Sequence, residues 1–343
     1  MAKLVYVFAT GGTIGTYRDK QGIAHVGDMT KNLVSRVKPR GIAIEAKTIM
    51  MKGSANMDPS DWIVIADEVA RVIKNKKEAS GIVILHGTDT MSYTAAALSF
   101  MLQKPGLPIV LTGAMISGSD PSSDAISNFK AALQCAANSN IAEVCVLLSA
   151  NPSGRKKIII RGCRSRKIHS ISLNAFASIN APPIAFVNGG KKITYSGKYQ
   201  KRGTRRNFVL DTRIEPRVVL IKQNPALTNE ILQHSLEGAM GAVIEGTGRG
   251  HVKEKLLTTI SSFGKPVVIS TQAIYGGESI GTYDIGKKML KVRNLIPAGD
   301  MTSETAFVKL MWCLGHEGSV RKRFLENICD EISVRFRERS NKG

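Results

Sequence analysis

The chain has 343 residues, 43% of them hydrophobic, and a formal net charge of +21. No apolar run approaches the roughly 18 residues of a membrane-spanning helix, and Met1-Ala2-Lys3 lead straight into a strand-like run, unlike a secretory leader. Five scattered cysteines form no CxxC pair, which argues against a zinc centre or disulfide framework and for reduced thiols in a cytoplasmic protein.

That length and apolar content suffice for two domains. Leu4-Val5-Tyr6-Val7-Phe8 reads as a buried strand that breaks into Thr10-Gly11-Gly12-Thr13-Ile14. Residues 16–28 follow as a glycine-punctuated loop, expected to act as a mobile lid. Asp58-Pro59-Ser60-Asp61 starts a helix with a polar cap, an early proline and first-turn acids. Its apolar positions Trp62, Ile65, Ala66, Val69, Val72 and Ile73 recur at helical spacing. Residues 81–85 read as a strand, 90–102 as a helix, 107–113 as a strand, 122–137 as a helix and 144–149 as a strand. This alternation predicts a doubly wound parallel sheet. Residues 188–214 are polar, basic and glycine-bearing. The pattern then restarts, with strands at 218–221, 242–245 and 266–270 and helices at 229–236, 303–315 and 319–330. The fold class is therefore α/β, two doubly wound parallel-sheet domains. The larger spans 1–190 and the smaller 215–343, with a basic connector at 191–214.

Charge is unevenly spread. Residues 151–210 contain no Asp or Glu but fourteen Lys or Arg, among them Lys157, Arg161, Arg164, Lys167, Arg202 and Arg205. Such a stretch attracts polyanions at long range. No aromatic stacking pattern accompanies it, so general basicity is the preferred reading.

In an open α/β sheet, ligands bind beyond the carboxyl ends of the strands. Two strand ends carry chemistry here: Thr10-Gly11-Gly12-Thr13, and His86-Gly87-Thr88-Asp89-Thr90-Met91 after the run 81–85. Glycines let the backbone turn sharply and present N–H groups to a ligand, and a hydroxyl becomes a nucleophile when a base or donor network activates it. Gly246-Thr247-Gly248-Arg249-Gly250 lacks the spacing and lysine of a phosphate loop. The six histidines form no metal-ligand pattern, and His86 is expected to orient its own turn. No metal and no nucleotide are expected.

The two threonine motifs together closely resemble the signatures of the bacterial-type L-asparaginase family. Further landmarks run along the chain: Thr112-Gly113-Ala114-Met115 with Ser123-Asp124, Ala175-Phe176-Ala177-Ser178-Ile179-Asn180, and Gly299-Asp300-Met301-Thr302 with Glu304-Thr305. The resemblance implies a cofactor-free amidohydrolase that converts L-asparagine to L-aspartate and ammonia, working as a homodimer or homotetramer. By position, Thr13 is the nucleophile, and Thr88, Asp89 and Lys167 form the second catalytic group. Ser54 meets the substrate's α-carboxylate, Asp89 its α-ammonium group, and Thr88 also lines the substrate. The backbone around Gly87-Thr88, or Ala114, supplies oxyanion donors. The family's loop tyrosine is replaced by Ile23, with Tyr17 nearby, and Ala55 follows Ser54 where a glutamine or serine is usual. Those departures weaken the expectation of free L-asparagine hydrolysis and point to a relative inside the same family; L-glutamine is a second candidate substrate.

Other runs are similar to the ammonia-producing D subunit of archaeal glutamyl-tRNA(Gln) amidotransferase: Ser54-Ala55-Asn56-Met57, residues 161–169 and 245–252, and Lys309-Leu310-Met311-Trp312. This alternative implies ammonia supply to a tRNA-binding partner subunit. The D subunit carries an additional domain ahead of its first threonine motif, which begins here at residue 10. The free-standing asparaginase is therefore the leading expectation, and a non-catalytic nucleic-acid-binding module the third.

Overall fold

The computed structural model describes residues 2–12, 16–18, 21, 24–26, 30–37, 39–189, 192–333 and 336, with the backbone alone at 16–18, 24–26, 30–32 and 282. Two compact units are present: Met1–Ser178 with Pro182–Asp211, and Ile179–Ala181 with Thr212–Gly343.

In the first unit, apolar runs make the inner strands buried on both faces, as a helix-covered parallel sheet requires. Its strands are β1 (Lys3–Gly11), β2 (Ile42–Lys52), β3 (Ala79–Leu85), β4 (Ile109–Thr112), β5 (Val144–Ser149), β6 (Lys156–Arg161), β7 (Ala185–Asn188) and β8 (Lys192–Tyr195). They lie in the order β8-β7-β6-β5-β4-β3-β1-β2. The five from β2 to β5 in that row pair in parallel. The β5–β6, β6–β7 and β7–β8 pairs are antiparallel. The loop between β5 and β6 is too short for the crossover that parallel pairing needs, so the sheet must change sense there.

Three longer helices cover this sheet beside the short Thr30–Arg36: α1 (Pro59–Asn75), α2 (Met91–Met101) and α3 (Ala125–Asn138). At the start of α1 the Asp61 carboxylate accepts the Asp58 N–H at 2.8 Å. All six apolar positions expected for this helix are buried. Helix α3 places Phe129, Ala132, Leu133 and Ala136 in one cluster with Val5, Val7, Val83, Leu85 and Val110 of the strands. Helix α2 is buried almost all round, and small residues Ala95, Ala96 and Ala97 let its neighbours come close.

Chain connectivity fixes where a ligand can sit. The order β2-β1-β3-β4-β5 sends the connection after β1 to one side and the connection after β3 to the other. The crevice between the carboxyl ends of β1 and β3 is the topological switch point, and both threonine motifs emerge there.

The basic stretch is largely consumed by this unit. Strand β8 forms the sheet edge, and Val209–Leu210 pair with Leu102–Gln103. Arg202 donates to the carbonyls of Ser139, at 2.9 Å, and Ala136, at 2.8 Å, where α3 ends. Arg205 donates to Lys76 O at 2.8 Å and to Ala79 O, just past the end of α1. These cations donate to carbonyls at or near the ends of two helices and sit at the negative ends of their dipoles. Arg161 pairs with Glu143 at 2.6 Å, and Arg164 is only 1% exposed.

The second unit has a four-stranded parallel sheet, β9 (Val218–Lys222), β10 (Gly241–Gly246), β11 (Val267–Thr271) and β12 (Leu295–Pro297), in sequential order. Its helices are α4 (Asn229–Leu236), α5 (Leu257–Phe263), α6 (Asp284–Leu290), α7 (Ser303–Leu314) and α8 (Val320–Leu325). The helix expected over 319–330 stops at Leu325 for a tertiary reason. The fully buried Glu331 carboxylate takes the Ile328 and Cys329 N–H groups and pairs with buried Lys309. Continuing the helix would break that network.

Candidate active site

The site forms where the backbones at Gly12 and Gly87 touch and the Ser54 side chain closes on Gly87. Gly11 and Gly12 both have positive φ, 99° and 81°. A Cβ on Gly12 would lie 2.3 Å from Gly87 Cα, and one on Gly87 would lie 2.5 Å from Ser54 Oγ. Only glycines permit this stack. Thr10 Oγ1 donates to Leu85 O at 3.0 Å, tying β1 to β3 just before both turns. The Gly12 N–H donates to Lys52 O at 3.1 Å. Thr13, Ile14, Gly15 and Ile23 lie outside the described residues, as does the Tyr17 side chain. Of the expected lid over 16–28, Thr16–Arg18 and Ala24–Val26 pair antiparallel as a ribbon, Gln21 is an exposed turn residue, and the rest lies outside the described residues.

Beyond β3, Thr88 is 4% exposed. Lys167 donates to Thr88 Oγ1 at 2.9 Å and to Asp89 Oδ1 at 2.8 Å. Lys167, 78 positions and more from the other two in sequence, thus joins them in one hydrogen-bonded unit. Lys167 ends a short strand, Ser165–Lys167, held antiparallel to Phe176–Ser178. The turn before it, Gly162–Arg164, presses against α2. A Cβ on Gly162 would sit 2.6 Å from Ser99 Oγ and 2.8 Å from Ala95 O. Glycine at 162 thus sets the depth from which Lys167 reaches Thr88.

Ser54 is 4% exposed and opens a one-turn helix, Ser54–Asn56. Its Oγ accepts the Asp89 N–H at 3.2 Å, and its carbonyl accepts from Thr90 Oγ1 at 2.7 Å. Because Ser54 Oγ accepts from Asp89, its own hydroxyl proton is available to a carboxylate. Ala114 is fully buried after Gly113, whose Cα faces His86 O and the Thr88 methyl.

The Asp89 side chain is 64% exposed and that of Lys167 is 20% exposed. An ion pair this wet stabilises the fold by about 1 kcal/mol or less. Its value is positional. Thr88 accepts from Lys167, so it can give away its own hydroxyl proton and take one from the lysine. Such an arrangement is able to pass a proton.

His86 supports the turn. It is fully buried, with Nδ1 2.7 Å from Gly87 O and Nε2 3.0 Å from Thr94 Oγ1. The carbonyl only accepts, so Nδ1 carries the proton and Nε2 accepts from Thr94. Burial pulls its pKa down to about 4. Between about pH 6.5 and 4 the unfolded chain binds more protons than the folded one, so stability falls as acid is added across that window. The shift corresponds to about 3 kcal/mol. Melting midpoints from pH 7 to 4 are expected to fall more steeply for the natural chain than for His86→Gln.

Sequence reasoning named Asp124 only within a family landmark and missed Asn128, and both brace the turn after β4. Asp124 Oδ1 accepts the Met115 and Ile116 N–H groups at 3.0 and 3.1 Å. Asn128 Nδ2 donates to Gly113 O at 2.9 Å. The only sequence signal for Asn128 is a polar residue at a core-facing position of α3.

Comparison with known proteins agrees with this architecture. Residues 4–200 match the model of the asparaginase N-terminal domain, and 217–323 that of the glutaminase/asparaginase C-terminal domain. The chain belongs to the asparaginase family. As an asparaginase-family protein it is an enzyme of the amidohydrolase class. The L-asparaginase of Thermococcus kodakarensis is 36% identical over 337 residues, covering 95% of this chain and 98% of the relative. The D subunit of the glutamyl-tRNA(Gln) amidotransferase of Pyrococcus abyssi is 37% identical over 339 residues, covering 96% of this chain and 76% of the relative. The solved thermostable L-asparaginase from Thermococcus kodakarensis superimposes with TM-score 0.86 at 36% identity, covering 96% of this chain and 99% of that one. L-asparaginase I from Vibrio cholerae gives TM-score 0.82 at 30% identity, covering 97% and 100%.

Proposed function

We propose that this asparaginase-family chain hydrolyses the side-chain amide of L-asparagine to L-aspartate and ammonia. The observation that carries the reading is the Lys167–Thr88–Asp89 unit at the switch point, beside the turn that leads into Thr13. Thr13 Oγ attacks the amide carbon, its proton passes to the amide nitrogen, the C–N bond breaks to release ammonia, and an ester to Thr13 remains. Water then attacks that ester, its proton passing by way of Thr88 and Lys167 to the Thr13 oxygen as the ester bond breaks, which releases aspartate and the free hydroxyl. Asp89 and Ser54 hold the substrate's α-ammonium and α-carboxylate groups. Backbone N–H groups of the Gly87-Thr88 turn or Ala114 meet the developing oxyanion; losing such a donor typically costs about 2.7–4 kcal/mol in the transition state.

L-Glutamine is the second candidate substrate, and a homodimer or homotetramer the proposed assembly. All five cysteines are free thiols, which supports a reducing, cytoplasmic setting. Among the described residues no helix is long and apolar enough to cross a membrane. A second reading, ammonia supply within a tRNA-dependent amidotransferase, is supported by the amidotransferase relatives at 37–38% identity.

Ammonia release by the purified chain separates the two. Turnover of L-asparagine without any partner is expected. Silence until a tRNA-binding subunit and glutamyl-tRNA are added would favour the amidotransferase role.

A further inference from the structure

A cavity of about 600 Å³ lies on the first unit, at the start of α3 and beside the β5–β6 loop. Lys130, Arg155 and Lys157 line it, with hydroxyls of Ser123, Ser127 and Ser153. The one carboxylate in its wall, Asp124, is already engaged by the N–H groups of Met115 and Ile116 and by the Asn128 amide. Three cations thus face the space against one occupied anion. Lys130 and Arg155 form no ion pair among the described residues. Lys157 is 3% exposed. It donates to Asn128 Oδ1 at 2.6 Å, Ser127 Oγ at 2.9 Å and Ser149 Oγ at 3.0 Å, all neutral acceptors.

A buried ammonium without a carboxylate in contact is costly unless something compensates it. Burial pulls the Lys157 pKa down to about 8, with Asp124 opposing. An anion seated in the cavity would supply the missing charge. The three cations, the hydroxyl wall and the start of α3 all suit a phosphate-like group.

We propose that this cavity is a second ligand site, which binds a small phosphorylated or polycarboxylate anion through Lys130 and Arg155, and through Lys157 once it gives up one of its three hydrogen bonds. The site connects physically to the catalytic turn. Lys157 holds Asn128 Oδ1, Asn128 Nδ2 holds Gly113 O at 2.9 Å, and Gly113 packs on the Thr88 methyl and His86 O. An anion that draws Lys157 away from Asn128 loosens Gly113, so the ligand is expected to change turnover as well as stability. That coupling rests on the amidohydrolase reading; the binding does not.

The test uses inorganic phosphate and citrate as probes on the full chain, with sodium chloride matched for ionic strength. Phosphate or citrate is expected to raise the melting midpoint saturably, on the order of 5 °C at a hundredfold excess over its dissociation constant. The exposed pair Lys130→Ala/Arg155→Ala should lose that rise while its own midpoint and basal ammonia release stay unchanged. Isothermal titration should give one site per chain in the natural protein and none in the double variant. Equal rises in both proteins, or a rise matched by sodium chloride, would overturn the proposal. Binding that survives in an inactive Lys167→Met variant would keep the site even if the amidohydrolase reading failed. If long RNA shifts the midpoint but neither small anion does, the proposal is also overturned.

Discussion

Lys167→Met lowers kcat for L-asparagine by about 10³-fold or more, within the range that positioned proton transfer contributes, and leaves the fold intact. Methionine preserves most of the apolar stem but cannot donate to Thr88 Oγ1 or Asp89 Oδ1, the two contacts that Lys167 makes at 2.9 and 2.8 Å. Its partner Asp89 is 64% exposed, so stability should change by only about 1 kcal/mol. The signature is a kcat loss with an almost unmoved melting midpoint. Lys167→Arg sharpens the reading. Arginine keeps the positive charge but stays protonated, so it satisfies a purely electrostatic role and fails a proton-relay role. Full activity in the arginine variant would remove Lys167 from the relay.

Gly12→Ala is expected to destabilise the chain by about 4 kcal/mol, a magnitude reserved for a few mechanisms such as forced backbone strain. At φ +81° alanine is already strained, and its Cβ would lie 2.3 Å from Gly87 Cα and N. No flexible side chain can yield there, so β1 and β3 must separate at their carboxyl ends. The melting midpoint should fall by about 10 °C, and the remaining folded protein should lose turnover because Thr13 and Thr88 leave these two strands. Gly41→Ala is the control. Its φ is +71° but nothing lies within 4 Å of the added carbon, so the cost should be about 1 kcal/mol. A small loss at Gly12, equal to that at Gly41, would contradict the close approach of the two turns.

How much of this was legible follows from what each signal depends on. The helix at Pro59–Asn75 was readable because its cap, proline and apolar spacing are all local. The strands at 79–85, 109–112 and 144–149 were readable because burial on both faces leaves nearly unbroken apolar runs. Strand Lys156–Arg161 was not, because lysines and an arginine frame its three isoleucines and hide the run. The basic stretch was legible as charge but not as structure: that Arg202 and Arg205 close helix ends depends on residues more than 60 positions away. Within the site, the motifs and the resemblance pointed to Thr88, Asp89, Ser54 and Lys167, and the geometry brings these four together. The bracing of Gly113 by Asn128 carries no local signal, since it exists only when α3 lies beside the end of β4.

The central claim is that the switch-point crevice performs acyl transfer through Thr13 with Thr88, Asp89 and Lys167 as the proton-handling group. The most direct measurement is peptide mass analysis of the chain quenched in acid during turnover of L-asparagine, beside Thr13→Ala. The account predicts an aspartyl ester on the peptide carrying Thr13, accumulating further in Lys167→Met, and neither ester nor turnover in Thr13→Ala. Sustained ammonia release by Thr13→Ala at the rate of the natural chain would contradict it.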